Sequence, residues 1–88
     1  MTQYVWRNQY ETVELDGEWI ILNTDSFTVT KLNDLGGFCW TLLQSAQTLP
    51  ALLQAVHEQY EAVSPTAEQE LESFVTDLMQ RGLLKYAV

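Results

Sequence analysis

The sequence predicts one α+β domain over residues 1–88, winged-helix-turn-helix-like, with a three-stranded antiparallel sheet followed by three helices. Three observations predict it. Apolar residues alternate with polar ones through much of the first half, in runs rich in β-branched side chains. An Asp16-Gly17 pair divides that region as a hairpin turn does. From Asn33 onward the apolar residues recur at helical spacing, in three segments opened by capping residues.

The first strand covers Tyr10 to Leu15, where Val13 and Leu15 alternate with Thr12 and Glu14. A type I′ turn needs positive φ at both central positions, which Asp-Gly supplies. The second strand returns as Glu18 to Asn23, with Leu15 facing Glu18 and Val13 facing Ile20. A polar loop, Thr24-Asp25-Ser26, leads to a third strand from Thr28 to Leu32. A one-residue register slip would exchange the two faces of this sheet. One register places Trp19, Ile21 and Val29 on a face opposite Val13, Ile20 and Leu22, forming an exposed apolar patch. Alternatively, the N-terminal segment covers that patch with Tyr4 and Trp6, which stand at alternate positions.

Asn33 is a suitable N-cap for a helix from Asp34, with the carboxylate in the first turn. Leu35, Cys39, Leu42 and Leu43, with Phe38 or Trp40, make its apolar stripe. Gly36-Gly37 costs such a helix about 1 kcal/mol per glycine relative to alanine. The pair is explained if another element packs close against it. Thr48 caps the second helix, with Pro50 in its first turn and Leu49, Leu52, Leu53, Val56 and Tyr60 inward. The third helix follows Ser64-Pro65-Thr66, with capping-box spacing between Thr66 and Gln69. Its inner stripe is Ala67, Leu71, Phe74, Val75 and Leu78, Gly82 ends it, and Leu83 and Leu84 fold back onto the core.

Composition narrows the function. Twelve acids against four Lys and Arg give a formal net charge of −8. That disfavours nucleic acid and anionic membrane surfaces, whose affinity comes from basic residues, and favours a basic partner. The presumed recognition helix carries Glu68, Glu70, Glu72 and Asp77 against Arg81, so DNA phosphates would repel it. A lone cysteine excludes an internal disulfide, and one histidine without a local ligand set makes no zinc site. No signal peptide or membrane span is evident, so the expected location is the cytoplasm.

For catalysis the sequence is nearly silent. Cys39 lies on an apolar helical stripe without a basic neighbour, the setting of a structural thiol rather than a nucleophile. His57 reads as a solvated helix residue, with no nucleophile placed beside it. No phosphate-binding glycine loop appears. No enzyme activity, cofactor or metal is expected. Binding has better signals. The third strand, Thr28-Val29-Thr30-Lys31-Leu32, is an edge, and an open edge offers unpaired N–H and C=O groups. Lys31 either protects that edge or borders a strand to which an extended peptide adds.

These motifs resemble a known family in their order and spacing. They are Leu15-Asp16-Gly17-Glu18, Trp19-Ile20-Ile21-Leu22-Asn23, Leu32-Asn33-Asp34-Leu35-Gly36, Cys39-Trp40-Thr41-Leu42-Leu43, Thr48 and Gly82-Leu83-Leu84. The chain over about residues 10–85 is similar to the PqqD-like family, also called the RiPP recognition element. The resemblance implies a free-standing protein that binds the leader of a ribosomally made precursor peptide. It would present that leader to a modifying enzyme, a lasso-pathway leader peptidase or a radical SAM enzyme. The leader would add as a strand along Thr28, Val29, Thr30 and Lys31. The third-helix wall would be Glu70, Phe74, Asp77, Leu78 and Arg81. Where the family has a glycine after the second hairpin turn, this chain has Phe27. That residue either alters the loop or adds an apolar contact near the groove. The competing reading is a winged-helix protein-interaction or regulatory module with no leader peptide.

Overall fold

A computed structural model describes residues 2–87. Its elements are β1 (Gln3–Trp6), β2 (Glu11–Leu15), β3 (Glu18–Asn23), β4 (Thr28–Leu32), α1 (Asp34–Leu42), α2 (Leu49–Gln59), α3 (Ala67–Gln80) and β5 (Leu84–Ala87). The expected three-stranded sheet is β2-β3-β4, and the three helices follow it. Among the described residues no helix is long and apolar enough to cross a membrane.

The hairpin forms as its turn residues dictate. Asp16 and Gly17 both have positive φ, 53° and 82°, and the register sets Val13 opposite Ile20 and Leu15 opposite Glu18. Pairing continues to β4, with Ile21 opposite Thr30 and Leu22 opposite Val29. This corrects the face assignment. Trp19 and Ile21 point inward, Ile21 without exposure, while Val29 joins Val13, Ile20 and Leu22 on the outer face. Directly paired residues share a face, so pairing with Leu22 places Val29.

The N-terminal segment does not cover that outer face. Instead β1 pairs antiparallel with β5, from Gln3 opposite Ala87 to Trp6 opposite Leu84. Tyr4 and Gln47 also exchange backbone hydrogen bonds of 2.8 and 2.9 Å. Trp6 stacks on Trp40 with centroids 4.4 Å apart, and its indole N–H donates to the Trp40 carbonyl at 2.9 Å. The Trp40 indole in turn donates to Thr12 Oγ1 at 3.0 Å. The two termini thus close over the helices as a ribbon, tied to the main sheet through one buried tryptophan.

Helix ends follow their capping residues. The Asn33 side chain accepts from the Gly36 N–H at 2.8 Å, and Thr48 Oγ1 accepts from the Ala51 N–H at 3.1 Å. Thr66 departs from the expected capping box. Its side chain makes no cap bond and its hydroxyl pairs with that of Ser64 at 2.9 Å. At the other end of α3, Gly82 takes φ 77°. The Leu83 N–H bonds the Leu78 carbonyl and the Gly82 N–H that of Met79, completing a Schellman motif. This turn sends Leu83 and Leu84 into a core they share with Ile21, Cys39, Trp40, Leu43, Leu52, Val56, Leu71, Val75 and Leu78.

Gly37 explains the glycine pair's cost. A Cβ built there would run into the Trp19 indole ring, so α1 lies flat against β3 only because glycine stands at this position. An alanine in a helix interior normally stabilises by about 1 kcal/mol over glycine. Gly37→Ala is expected to do the reverse, costing about 1–3 kcal/mol through overpacking and lowering the urea midpoint. A raised midpoint would contradict this packing. Phe27, at φ 54°, is an aromatic residue in the left-handed region. Phe27→Gly relieves that conformation and is expected to raise the melting temperature, by up to about 4–8 °C for a gain near 1 kcal/mol.

Candidate functional site

β4 pairs with β3 along one side, and no strand of the described residues pairs along the other. Its outer edge therefore offers a row of backbone donors and acceptors. Thr28 and Lys31 are exposed there, and Val29 is 59% exposed. Thr30 is nearly buried, because its side chain faces the core opposite Ile21. What Thr30 presents at the edge is its backbone.

β4 is held by β3 and α1, whereas α3 packs chiefly on α2 and β5. Helix α3 comes close to α1 through Phe74, at Gly36. A Cβ built on Gly36 would lie 3.3 Å from the Leu32 Cβ and 3.4 Å from the Phe74 ring. Gly36 thus lies close both to Leu32 and to the Phe74 ring. Around this point a cleft of about 190 Å³ opens, lined by Asn33, Leu35, Gly36, Cys39, Val56, Ala67, Glu70, Leu71 and Phe74. Its lining is mainly apolar, with Asn33 and Glu70 as the polar residues. The Asn33 amide oxygen is already engaged in capping α1. Exposed Glu70 is left as the group able to meet a donor or cation.

Of the expected wall residues, Glu70 and Phe74 line this cleft. Asp77 and Arg81 continue the same side of α3, at i+7 and i+11 from Glu70. They are bound to each other, with Arg81 Nε donating to Asp77 Oδ2 at 3.0 Å, and both are more than half exposed. Such an exposed pair contributes little stability. Leu78 has no exposure and belongs to the core, so its side chain offers no wall surface. Sequence reasoning missed Asn33, Leu35, Gly36, Cys39, Val56, Ala67 and Leu71 as lining residues. The usable signal was Gly36, whose close approach was expected, but its neighbour across the gap comes from a helix some forty residues later.

Two hydroxyl and thiol groups near the cleft are kept neutral. Burial pushes the Cys39 thiol up to about 11, so it serves as a packing group. Burial, and then a hydrogen bond to Asp34 Oδ2 at 2.9 Å, pushes the Tyr60 phenol up to about 12. His57 is exposed on α2. Among the described residues, no three His, Cys, Asp or Glu side chains are grouped to hold a metal ion.

A sequence model of the family described as coenzyme PQQ synthesis protein D (PqqD) matches residues 18–84. No curated protein matches the chain. Among solved structures, TbiB1 in complex with the TbiA(beta) leader peptide is 25% identical, with a TM-score of 0.78 over 96% of this chain and 99% of that one. A lasso peptide synthetase B1 complexed with the leader peptide is 21% identical, with a TM-score of 0.75 over 93% and 96% of the two chains. The second likeness speaks to the fold alone.

Core and lip residues of α3 should separate in stability. Leu78→Ala is expected to cost about 2–5 kcal/mol as a buried truncation. Glu70→Gln should stay within about 0.5 kcal/mol, as an exposed substitution does. Urea unfolding measures both. A loss at Glu70 as large as that at Leu78 would make Glu70 structural rather than a free lip of the cleft.

Proposed function

The chain belongs to the PqqD family, and on that premise we propose that it is a non-catalytic adaptor for the leader segment of a ribosomally synthesised precursor peptide. The leader adds as a strand to β4, lies against α3, and is presented to a modifying enzyme, a lasso-pathway leader peptidase or a radical SAM enzyme. The observation that carries this reading is the open β4 edge ending beside an apolar cleft. The likeness to TbiB1, whose structure holds a leader peptide, supports it.

The two features divide the work. Main-chain hydrogen bonds along β4 give a generic docking energy that any extended peptide satisfies. Selectivity comes from the cleft, which accepts an apolar side chain between Gly36, Leu71 and Phe74. Glu70 at its lip meets a donor or a cation on the guest. The chain's net charge of −8 draws a basic leader and accelerates encounter more than it tightens the complex.

Titration of the labelled protein with the leader of its own precursor is expected to shift the amide signals of Thr28–Lys31 together with those of Glu70 and Phe74. Shifts confined to other elements would remove the strand-addition model. Glu70→Lys, combined with Asp77→Lys, is expected to weaken leader binding about tenfold at low salt and less at physiological salt, where the Debye length shrinks to about 8 Å. An affinity unchanged at low salt would remove the electrostatic attraction.

A further inference from the structure

The sheet's outer face meets the proposed leader edge only at Val29 and Lys31, and the rest of it forms a separate exposed surface. Its pairing register places Val13 beside Ile20 and Lys31, and Leu22 beside Val29. Val13 is 42%, Leu15 58% and Val29 59% exposed, and Phe27 at the β3–β4 turn is 91% exposed. Together they present a few hundred Å² of apolar surface, the size at which patches on small proteins mark partner contacts. Phe27 adds an independent observation. It holds a left-handed backbone that glycine adopts without strain, and buries almost nothing in return. Phenylalanine, with the other aromatic residues, is enriched in interfaces relative to the rest of a protein surface.

We infer that this outer face, with Phe27 at its corner, is the docking surface for the modifying enzyme, whose own contact surface is apolar at its centre and basic at its rim. The inference rests on the adaptor reading above. Charge selects the occupant. Glu11 and Glu18 stand on the face beside the apolar residues, Asp16 and Asp25 sit at its two turns, and Lys31 is the one base among them. A second copy would bring the same acids and a further net charge of −8. The size of the patch points the same way. A standard interface buries about 800 Å² per partner, more than these residues supply. A guest strand on β4 would supply the remainder, because it extends the same sheet. Its alternate side chains would continue the row of Val29 and Lys31. The enzyme then meets a larger surface on the loaded adaptor than on the empty one, which couples leader binding to recruitment.

The test titrates the full chain, with and without its leader, with the leader peptidase or radical SAM enzyme encoded beside it. The expected result is tighter enzyme binding by the loaded chain. Val13→Thr combined with Leu15→Thr should weaken enzyme binding about tenfold while leader affinity stays within about twofold. Phe27→Gly should weaken enzyme binding without lowering the melting temperature, which separates lost contact from lost fold. Glu11→Lys with Glu18→Lys should weaken it most at low salt. Unchanged enzyme affinity in the Val13/Leu15 and Phe27 variants overturns the proposal. So does a loaded wild-type chain that binds neither enzyme. Sedimentation velocity showing a dimer that the Val13/Leu15 variant dissolves would assign the face to a second copy instead, and also overturns it. Failure of the wild-type chain to bind its leader strikes the adaptor reading itself.

Discussion

The close approach of α1 to the sheet governs the rest of the molecule. Gly37 lets the helix backbone rest on the Trp19 indole, and Gly36 leaves room for Leu32 at the end of β4 and for the Phe74 ring of α3. A side chain at the first position would lift the helix from the sheet. A side chain at the second would crowd both Leu32 and Phe74. The glycines cost helix propensity, about 1 kcal/mol each. What they secure is position. Phe74 of α3 lies against α1 just past the end of β4, and no strand of the described residues pairs along that strand's outer edge. The apolar cleft among the three helices therefore opens where α1 lacks a side chain, just past the end of β4.

Much of this was legible in the sequence because its causes are local. Asp16-Gly17 dictated a turn and therefore a register. Asn33, Thr48 and Gly82 marked helix ends through bonds to residues within five positions. The glycine pair announced a close approach, though not the identity of the ring on the other side. What was not legible has non-local causes. β1 and β5 are short, and each finds its partner some eighty residues away, so neither segment carries a pattern that specifies the pairing. The placement of Trp6 likewise depends on Trp40, which a linear reading assigns only to a helical stripe. The face of Val29 was misread because β4 alternates weakly, with Thr28 and Thr30 on one side and Val29 and Lys31 on the other. Hydrophobicity alone chooses the wrong side there. Pairing with β3 chooses the right one, since Thr30 sits opposite Ile21.

Leu78 and Phe74 show the same limit within the site. Both fall on the inner stripe of an amphipathic helix, and period alone cannot separate them. The structure buries Leu78 fully and leaves Phe74 at the boundary. The difference arises because Gly36 opens space opposite Phe74 but nothing opens space opposite Leu78. A site residue on such a helix is defined less by its own spacing than by which neighbour is missing a side chain.

The sheet has two outer strands, and the proposed strand addition takes β4 rather than β2. β2 ends at a tight turn and carries Glu11 and Glu14, while β4 leads straight into the apolar cleft between α1 and α3. An edge left open for a guest is also open to another copy, since backbone ladders do not distinguish partners. Negative charge resolves that conflict. At a net charge of −8, two copies repel, whereas a basic extended peptide, the guest proposed above, would be drawn in. Acidity therefore acts twice on one strand. It opposes the self-pairing that an exposed edge invites, and under the proposed function it would also select the guest.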